Sequence, residues 1–275
     1  MIDATTKAVI VTRGTPNDNA NIIQSRACSP PLPTISIVTI CKNAGATIGR
    51  TLESVIRCDY PHLEYIIVDG GSTDDTLERI SRYRSRVDKL VSEPDQGISD
   101  ALNKAVALTT GRYHLVVHAD DVLIPESLAT LGQGRGIDAR VICGSVLVMK
   151  QGAVVRKFDP DPLKLVRKMS VPHMGALIRK DAWESAGRYD TRRKIAMDHL
   201  LMLRILMRFG VSAFSLVDTV VANYSLGGVS DRQVDLGFRE VRDNLIEEGL
   251  GSLRANAAYL ELRVRSIIAR AIGKG

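Results

Sequence analysis

The chain has 275 residues, 45% of them apolar, and a formal net charge of +6. This apolar content is enough for the core of one large domain, and no run of about eighteen or more apolar residues offers a membrane-spanning helix. Aromatic residues make up only 4% of the chain, so we expect no nucleic-acid partner, and the four cysteines lack the C-x-x-C spacing of zinc sites or a disulfide framework.

Residues 1–33 mix small polar residues and end in a proline-rich segment. Such a composition favours a loosely ordered arm, with at most a short strand over residues 8–11. The segment lacks the basic-then-apolar layout of a secretory signal. We therefore expect a cytoplasmic protein whose cysteines, Cys28 included, are reduced.

Strands and helices alternate from residue 34 onwards. Apolar, β-branched runs predict buried strands over residues 34–41, 63–69, 88–92 and 113–117. The helical patterns between them predict helices over residues 47–57, from residues 70–75 to about residue 84, and over residues 98–108. This alternation indicates βαβ units, and therefore an α/β fold with a mainly parallel central sheet flanked by helices.

The second half of the chain follows a different pattern. Strands over residues 140–149 and 153–158, joined by Gln151 and Gly152, predict a hairpin. An apolar helix over residues 199–209, an extended segment over residues 213–224 and a helical tail from Val234 follow.

Polar residues stand at the ends of three predicted strands. Residues 41–43 follow the first strand, Asp69 ends the second before two glycines, and Asp120 and Asp121 come after the fourth. Ligands of open α/β sheets bind beyond the carboxyl ends of the strands. These residues therefore mark one candidate site.

Asp120 and Asp121 concentrate negative charge at the end of an apolar run. Adjacent carboxylates suit a divalent cation, which takes oxygen ligands and can bridge to phosphates. The alternative is a plain turn in which one aspartate caps the next helix. The pattern assigns no role to His118 beside them.

The glycines after Asp69 allow close backbone approach to a ligand at the start of a helix. Asp69 itself could accept a hydrogen bond from a base or a sugar hydroxyl. The alternative is a tight turn capped by Ser72 or Asp74, which explains Asp74 well and Asp69 poorly. On the next helix, Asp100 and Lys104 either face a ligand or form a solvated ion pair.

Several segments together resemble the nucleotide-diphospho-sugar glycosyltransferases of family 2, which have the GT-A fold. The matching segments cover residues 36–43, 68–74, 93–98, 100–104, 119–121, 172–173, 196–198 and 227–230. The Asp-Gly-Gly-Ser-Thr-Asp run from Asp69 and the Asp-x-Gly-Ile run from Asp95 are the most specific of them. The chain is most similar to the bacterial subgroup of colanic-acid and phenolic-glycolipid type transferases.

The resemblance implies an inverting transferase that uses Mg²⁺ or Mn²⁺ and moves a sugar from a nucleotide-diphospho-sugar to a hydroxyl of a glycan or lipid-linked acceptor. Residues 34–231 would form the GT-A catalytic domain and residues 232–275 a C-terminal helical region. Asp121 would bind the metal, Asp120 the donor's ribose, and Asp198 would be the catalytic base. The remaining donor-binding positions would be Cys41, Asn43, Asp69, Gly71, Asp95, Asp100, Gly228 and Ser230. His173 also matches a family position, to which we assign no role.

Three alternatives stay open at this point. Asp198 could be the N-cap of the helix over residues 199–209. A nucleotidyltransferase would need a glycine-rich loop with a basic residue after the first strand, and residues 43–46 lack the run of glycines. A non-catalytic sugar-nucleotide-binding subunit is the alternative from another class.

The tail helix over residues 253–272 has an apolar stripe opposite three arginines. The stripe consists of Leu253, Ala257, Leu260, Val264, Ile267 and Ile268. Such a stripe is ordinary for a helix that packs on a globular core, and we favour that interpretation. The alternative is peripheral contact with the cytoplasmic face of a membrane.

Overall fold

The computed structural model describes residues 32–133 and 138–271. Residues 1–31, with Cys28 and the strand predicted over residues 8–11, lie outside the described residues. Within the described ranges the sheet contains the strands β1 (Ile35–Cys41), β2 (Leu63–Asp69), β3 (Lys89–Ser92), β4 (Tyr113–Val116), β5 (Val122–Leu123), β6 (Val141–Lys150), β7 (Ala153–Phe158), β8 (Ala176–Arg179) and β9 (Phe214–Ser225). The α-helices are α1 (Gly45–Ile56), α2 (Thr76–Ser81), α3 (Ile98–Ala107), α4 (Ser127–Gln133), α5 (Lys180–Ser185), α6 (Met197–Phe209), α7 (Val229–Arg232), α8 (Val234–Glu247) and α9 (Ser252–Ala271).

β1 lies at the centre of the parallel half of the sheet. It pairs with β2 on one side and β4 on the other, in the order β3-β2-β1-β4. Every residue of β1 is buried, as its apolar, β-branched sequence predicts for a strand covered on both faces. The register places Cys41 opposite Asp69 and Asp69 opposite Ser92, so these strands end together at one edge.

Beyond β4 the sheet becomes mixed. β8 is antiparallel to β4 and β6, β9 is parallel to β6, and β5 is antiparallel to β9. The predicted hairpin is confirmed, with β6 antiparallel to β7 and with Gln151 and Gly152 at positive φ. The parallel arrangement that we predicted therefore holds in the first half of the sheet. In the second half, the pairing of Val122 with Asn223 brings the end of β9 to Asp121.

The helix predicted from residues 70–75 to residue 84 is shorter, because it begins at Thr76 and ends at Ser81. The Asp69 carboxylate accepts hydrogen bonds from the backbone N–H groups of Gly71 and Ser72, and the Asp74 carboxylate accepts that of Thr76. Such side-chain bonds compete with helical ones, so residues 70–75 form a loop.

The C-terminal helices α8 and α9 pack on the same core as the sheet. Their buried residues Val241, Leu245, Ala255 and Ala258 belong to the cluster that contains Trp183. The apolar stripe of α9 faces away from this core, and its large side chains are exposed. The stripe is therefore not the packing face that we favoured, although the helix itself packs. None of the helices in the described ranges combines the length and apolarity that crossing a bilayer requires.

Candidate active site

A cavity of about 1070 Å³ opens where β1 and β4 end. Most of the predicted site residues line it, namely Cys41, Asn43, Asp95, Asp120, Asp121, Asp198, Gly228 and Ser230. Asp69, Gly71 and Asp100 lie outside the lining. Small-molecule sites measure about 300–1,000 Å³, so this cavity lies at the upper end of that range.

Hydrogen bonds join the loops that follow β1 and β2. Asn43, at a φ of 50°, donates its N–H to Ser72 Oγ over 2.8 Å and accepts the Thr73 N–H over 2.9 Å. Asp74 accepts the N–H of Gly45, the first residue of α1, over 3.0 Å. These bonds keep Asn43 in the left-handed conformation, which asparagine tolerates better than most residues. We refer to residues 41–45 and 69–75 together as the platform.

Asp69 is fully buried and satisfied within the platform and its neighbouring strand. Its carboxylate accepts the N–H groups of Gly71 and Ser72 over 3.2 and 3.0 Å, the Ser92 hydroxyl over 2.7 Å, and the Ser72 hydroxyl. Burial disfavours the ionised carboxylate, but these bonds outweigh that effect and lower the pKa of Asp69. Our expectation that turn capping explains Asp69 poorly is therefore wrong. Burial and the Asp69 carboxylate raise the pKa of the Cys41 thiol, whose Sγ lies 3.7 Å from Asp69 Oδ1.

Asp95 and Asp100 flank the start of α3, but only Asp95 reaches the cavity. Asp95 accepts the N–H of Gly97 over 2.9 Å, and Asp100 accepts the N–H of Gln96 over 3.0 Å. Asp100 Oδ2 also lies 3.3 Å from Lys104 Nζ, as the ion-pair interpretation of the sequence predicts. In this structure Asp100 therefore holds the loop before α3 instead of facing the cavity.

Asp121 is fully buried and has one carboxylate oxygen without a partner among the described residues. Its Oδ1 accepts the N–H of Ser225 over 2.9 Å, whereas its Oδ2 makes no hydrogen bond. The Ser225 hydroxyl also donates to the backbone carbonyl of Asp120 over 2.8 Å. Burial raises the pKa of Asp121 well above its ordinary value, and the charge of Asp120 raises it further. A bound cation would satisfy this oxygen.

The donor set fits a divalent cation. Mg²⁺ sites often use one or two protein carboxylates and complete the shell with substrate phosphates and water. Within the described residues, no group of three or more His, Cys, Asp or Glu side chains could hold a metal ion. A cation at Asp121 would therefore take most of its ligands from a molecule bound in the cavity.

The segment after β9 folds back toward Asp120. The Tyr224 hydroxyl lies 3.1 Å from Ser230 Oγ and donates to Asp231 Oδ2 over 3.2 Å. A Cβ atom added to Gly228 would lie 3.5 Å from Asp120 Oδ2, which is ordinary van der Waals contact. Residues 227–231 therefore lie against Asp120, and Tyr224 of β9 anchors them.

Asp198 is the second residue of α6 and lines the cavity. The N-cap position belongs to Ala196, so the capping interpretation of Asp198 is wrong. Its Oδ1 accepts the N–H of the neighbouring His199 over 2.7 Å. Burial raises the pKa of Asp198 to about 6, and the charge of Glu240 adds to the effect. A carboxylate with this pKa is ionised at pH 7 and is basic enough to accept a proton.

The segment that leads into α6 is held by α8. Glu240 accepts the N–H groups of Lys194, Ile195 and Ala196, each over 2.8 Å. The Asn244 side-chain amide donates to the Ala196 carbonyl over 2.9 Å. The C-terminal helical region therefore positions the start of the helix that carries Asp198.

Two histidines of the cavity lining lie close together. The ring centroids of His118 and His173 are 5.9 Å apart, and His173 Nε2 lies 2.8 Å from the Tyr189 hydroxyl. Burial lowers the pKa of both histidines, so both rings are neutral near pH 7. A neutral imidazole can donate one hydrogen bond and accept another without adding a positive charge beside Asp120.

Ser225, Tyr224 and Glu240 do not figure among the predicted site residues. Ser225 lies 104 positions from Asp121, and Glu240 lies 44 to 46 positions from the N–H groups that it accepts. Only the pairing of β9 and the packing of α8 bring them to the site, and no spacing in the sequence records these contacts.

Comparison with known proteins gives a family and a fold. The model of glycosyl transferase family 2 matches residues 36–180. The PGL/p-HBAD biosynthesis glycosyltransferase of Mycobacterium bovis (strain BCG / Pasteur 1173P2) is 29% identical over 224 residues, which cover 75% of this chain and 82% of that protein.

Two solved structures have the same fold at low identity. S. aureus TarS 1-349 in complex with UDP-GlcNAc aligns with a TM-score of 0.63 at 17% identity, over 83% of this chain and 71% of that one. Glucosyl-3-phosphoglycerate synthase from Mycobacterium tuberculosis, in complex with Mn²⁺, UDP and glucosyl-3-phosphoglycerate, aligns with a TM-score of 0.57 at 22% identity, over 78% and 80% of the two chains. The predicted GT-A fold is thereby confirmed.

Proposed function

The chain belongs to glycosyltransferase family 2, and on that basis we propose that it moves a hexose from a nucleotide-diphospho-sugar to a hydroxyl of a glycan or glycolipid, with inversion. The observation that carries the proposal is the buried, partnerless Oδ2 of Asp121 in a cavity that Asp198 also lines. Asp121 has a buried oxygen that a cation of a donor site would satisfy, and Asp198 has the raised pKa that a general base requires. The curated relative named for PGL/p-HBAD biosynthesis supports a glycolipid acceptor.

On the donor side, Asp121 would hold Mg²⁺ or Mn²⁺ and Asp120 would bind the ribose. A divalent cation at this position supplies electrostatic stabilisation of the charge on the departing diphosphate, an effect worth roughly several kcal/mol. The presence of Mn²⁺ in the structure of glucosyl-3-phosphoglycerate synthase supports this assignment.

The platform would hold the base of the nucleotide through Cys41 and Asn43, which line the cavity. Asp69 would act through the platform, because its oxygens already accept hydrogen bonds from three residues and it lies outside the lining. Asp95 would face the donor sugar, and Gly228 and Ser230 would close over the diphosphate. The free thiols Cys41, Cys58 and Cys143 agree with a cytoplasmic site for the reaction.

On the acceptor side, Asp198 would remove the proton of the attacking hydroxyl. The acceptor oxygen then bonds to the anomeric carbon as the bond from that carbon to the diphosphate oxygen breaks, and the nucleoside diphosphate leaves. Attack from the face opposite the leaving group inverts the anomeric centre. A positioned general base contributes about 10²–10⁴-fold to such a rate.

The test compares two aspartates at the same helical position. Asp198 is the second residue of α6, and Asp181 is the second residue of α5, where it pairs with Arg179 outside the cavity lining. We expect Asp198→Asn to lower transfer about 10²–10⁴-fold while donor binding stays intact, and Asp181→Asn to keep both. Transfer is measured as nucleoside diphosphate release, and binding by calorimetry with UDP-GlcNAc and GDP-mannose.

Asp121→Asn should remove the part of donor binding that depends on Mn²⁺. Full turnover by Asp198→Asn would show that another group is the base. Nucleotide binding by the unaltered protein without transfer or slow donor hydrolysis would instead indicate a non-catalytic binding subunit.

A further inference from the structure

The outer face of α9 is apolar and exposed. The helix packs through Ala255 and Ala258, which are buried in the core, and through Leu262, which is partly buried against it. At 3.6 residues per turn, the stripe that we described in the sequence lies on the opposite side. Its large members are exposed to between 53% and 87%: Leu253, Leu260, Val264, Ile267 and Ile268. An apolar strip of this length on a surface helix indicates an interaction site.

Contrary to our description from the sequence, the arginines do not lie opposite the strip but border it on both sides. The helical period places Arg254 and Arg265 along one border and Arg263 along the other. The acidic residue Glu261 also lies at the border, but Arg265 and Arg167 pair with it at 2.7 and 2.6 Å. On the other border, Arg263 lies 3.8 Å from Asp235. The borders are positive overall, because the three arginines outnumber Glu261 and Asp235.

A second basic segment lies against α9. The Arg167–Glu261 ion pair joins the helix to residues 162–168, which include Lys164 and Lys168. Leu163, in the same segment, is 65% exposed. Asp161 offsets one charge by pairing with Lys164 at 2.5 Å. The two elements together form a surface in which apolar side chains stand among cations.

The charges decide which partner fits this surface. Steps of three and four residues between the apolar positions also suit a coiled coil with a second copy of the chain. A second copy would set the same positive borders beside each other, which is unfavourable. Anionic lipid headgroups attract these arginines and lysines, and their long side chains can reach the headgroups while the apolar strip enters the bilayer surface.

We propose that α9 and residues 162–168 bind the surface of a bilayer that contains anionic lipids. Lys168 and Leu262, from the two elements of this surface, also line the candidate active-site cavity. Binding would therefore bring the cavity close to lipid-anchored acceptors. The inference concerns membrane attachment and stands whether or not the transfer reaction is as proposed.

The experiment uses the full chain and vesicle flotation at low ionic strength. Vesicles contain phosphatidylcholine alone or with about a third phosphatidylglycerol, which supplies the anionic surface. We expect the protein to float with the anionic vesicles and to be released by salt. The variant Leu260→Ser/Val264→Ser/Ile267→Ser/Ile268→Ser should lose roughly tenfold or more of this binding.

A matched control carries Val211→Ser and Leu216→Ser. These residues are 49% and 56% exposed, similar to the strip, but lie on other elements, so we expect unchanged flotation. Circular dichroism checks that each variant is folded. Equal flotation of the strip variant and the unaltered protein would overturn the proposal, as would absence of flotation with both vesicle types. A dimer in sedimentation that the strip variant abolishes, without any vesicle binding, would assign the strip to a second copy instead.

Discussion

The two halves of the site hold their carboxylates in opposite ways. In the parallel half, Asp69 accepts hydrogen bonds from three residues and its pKa lies below the ordinary value. In the mixed half, Asp121 has one oxygen without a partner among the described residues, and Asp198 accepts the backbone N–H of His199. Both carboxyl groups have raised pKa values. Asp69 therefore stabilises the fold, whereas the other two retain capacity for a cation or a proton. Because the carboxylates of Asp121 and Asp198 are not fully hydrogen-bonded by the described residues, they lower the stability of the fold at the residues that function requires.

The most severe test of this comparison is Glu240→Ala. The change leaves three backbone N–H groups without this acceptor, of which that of Ala196 is buried and those of Lys194 and Ile195 are partly buried. Each group that water cannot reach costs about 1–3 kcal/mol. We expect the free energy of unfolding to fall by roughly 3 kcal/mol and kcat by roughly tenfold or more, because the start of α6 shifts. Urea denaturation and steady-state kinetics measure the two effects.

Asp243→Ala is the matched control on the same helix. The Asp243 side chain is 43% exposed and pairs with the neighbouring Arg242, so its loss should cost less than about 0.5 kcal/mol. If Glu240→Ala behaved like this control, α8 would not position Asp198, and the mixed half would be held in another way.

Asp69→Asn tests the parallel half and should have the next largest effect. The amide cannot accept all the bonds of the carboxylate, so we expect a loss of about 1–3 kcal/mol at pH 7. Because the folded pKa of Asp69 is lowered, its contribution is complete above the unfolded pKa of about 3.9 and is lost as pH falls through the folded value. The difference in the free energy of unfolding between Asp69→Asn and the unaltered protein should therefore be smaller near pH 3 than at pH 7, as measured by denaturation. If this difference were the same at both pH values, the charge of Asp69 would contribute nothing to stability.

Asp198→Asn should increase the free energy of unfolding, whereas Asp69→Asn should decrease it. The folded pKa of Asp198, about 6, lies above the unfolded value, so its ionised form destabilises the protein above pH 6 and not below about pH 4. We expect the free energy of unfolding of the variant to exceed that of the unaltered protein by on the order of 1–3 kcal/mol at pH 7.5 and to equal it near pH 4, as urea denaturation measures. The activity of the unaltered enzyme should meanwhile fall about tenfold per pH unit below pH 6. A stability loss in the variant at pH 7.5 would contradict the contrast with Asp69.

The parallel half was the part that the sequence could predict. The bounds of β2 agree with the predicted residues 63–69, and β1 differs by one residue at its start. Buried parallel strands are continuous apolar runs, and their βαβ connections have one hand, so the edge at which Cys41 and Asp69 meet follows from local patterns.

The mixed half depends on contacts that no local pattern records. Ser225 reaches Asp121 through strand pairing across 104 positions, and Glu240 reaches the start of α6 through helix packing. The period of α9 predicts its apolar stripe but not the face that packs, because Ala255, Ala258 and Leu262 make the contact while the large side chains of the stripe remain exposed. Periodicity reveals that a face exists, and only the tertiary structure shows what lies against it.

Tyr224→Phe should give the smallest effect and tests whether β9 anchors the segment over Asp120. The variant loses the bonds from the hydroxyl to Ser230 and Asp231, each worth about 0.5–1.5 kcal/mol at most and less where water competes. We expect the donor KM to rise about two- to fivefold with little change in kcat, since closure over the donor weakens. Tyr83→Phe is the control, because its hydroxyl bonds to exposed Glu53 and neither residue lines the cavity. An unchanged KM in both variants would mean that the segment closes without this anchor, and the contribution of the mixed half would then rest on Ser225 and Glu240.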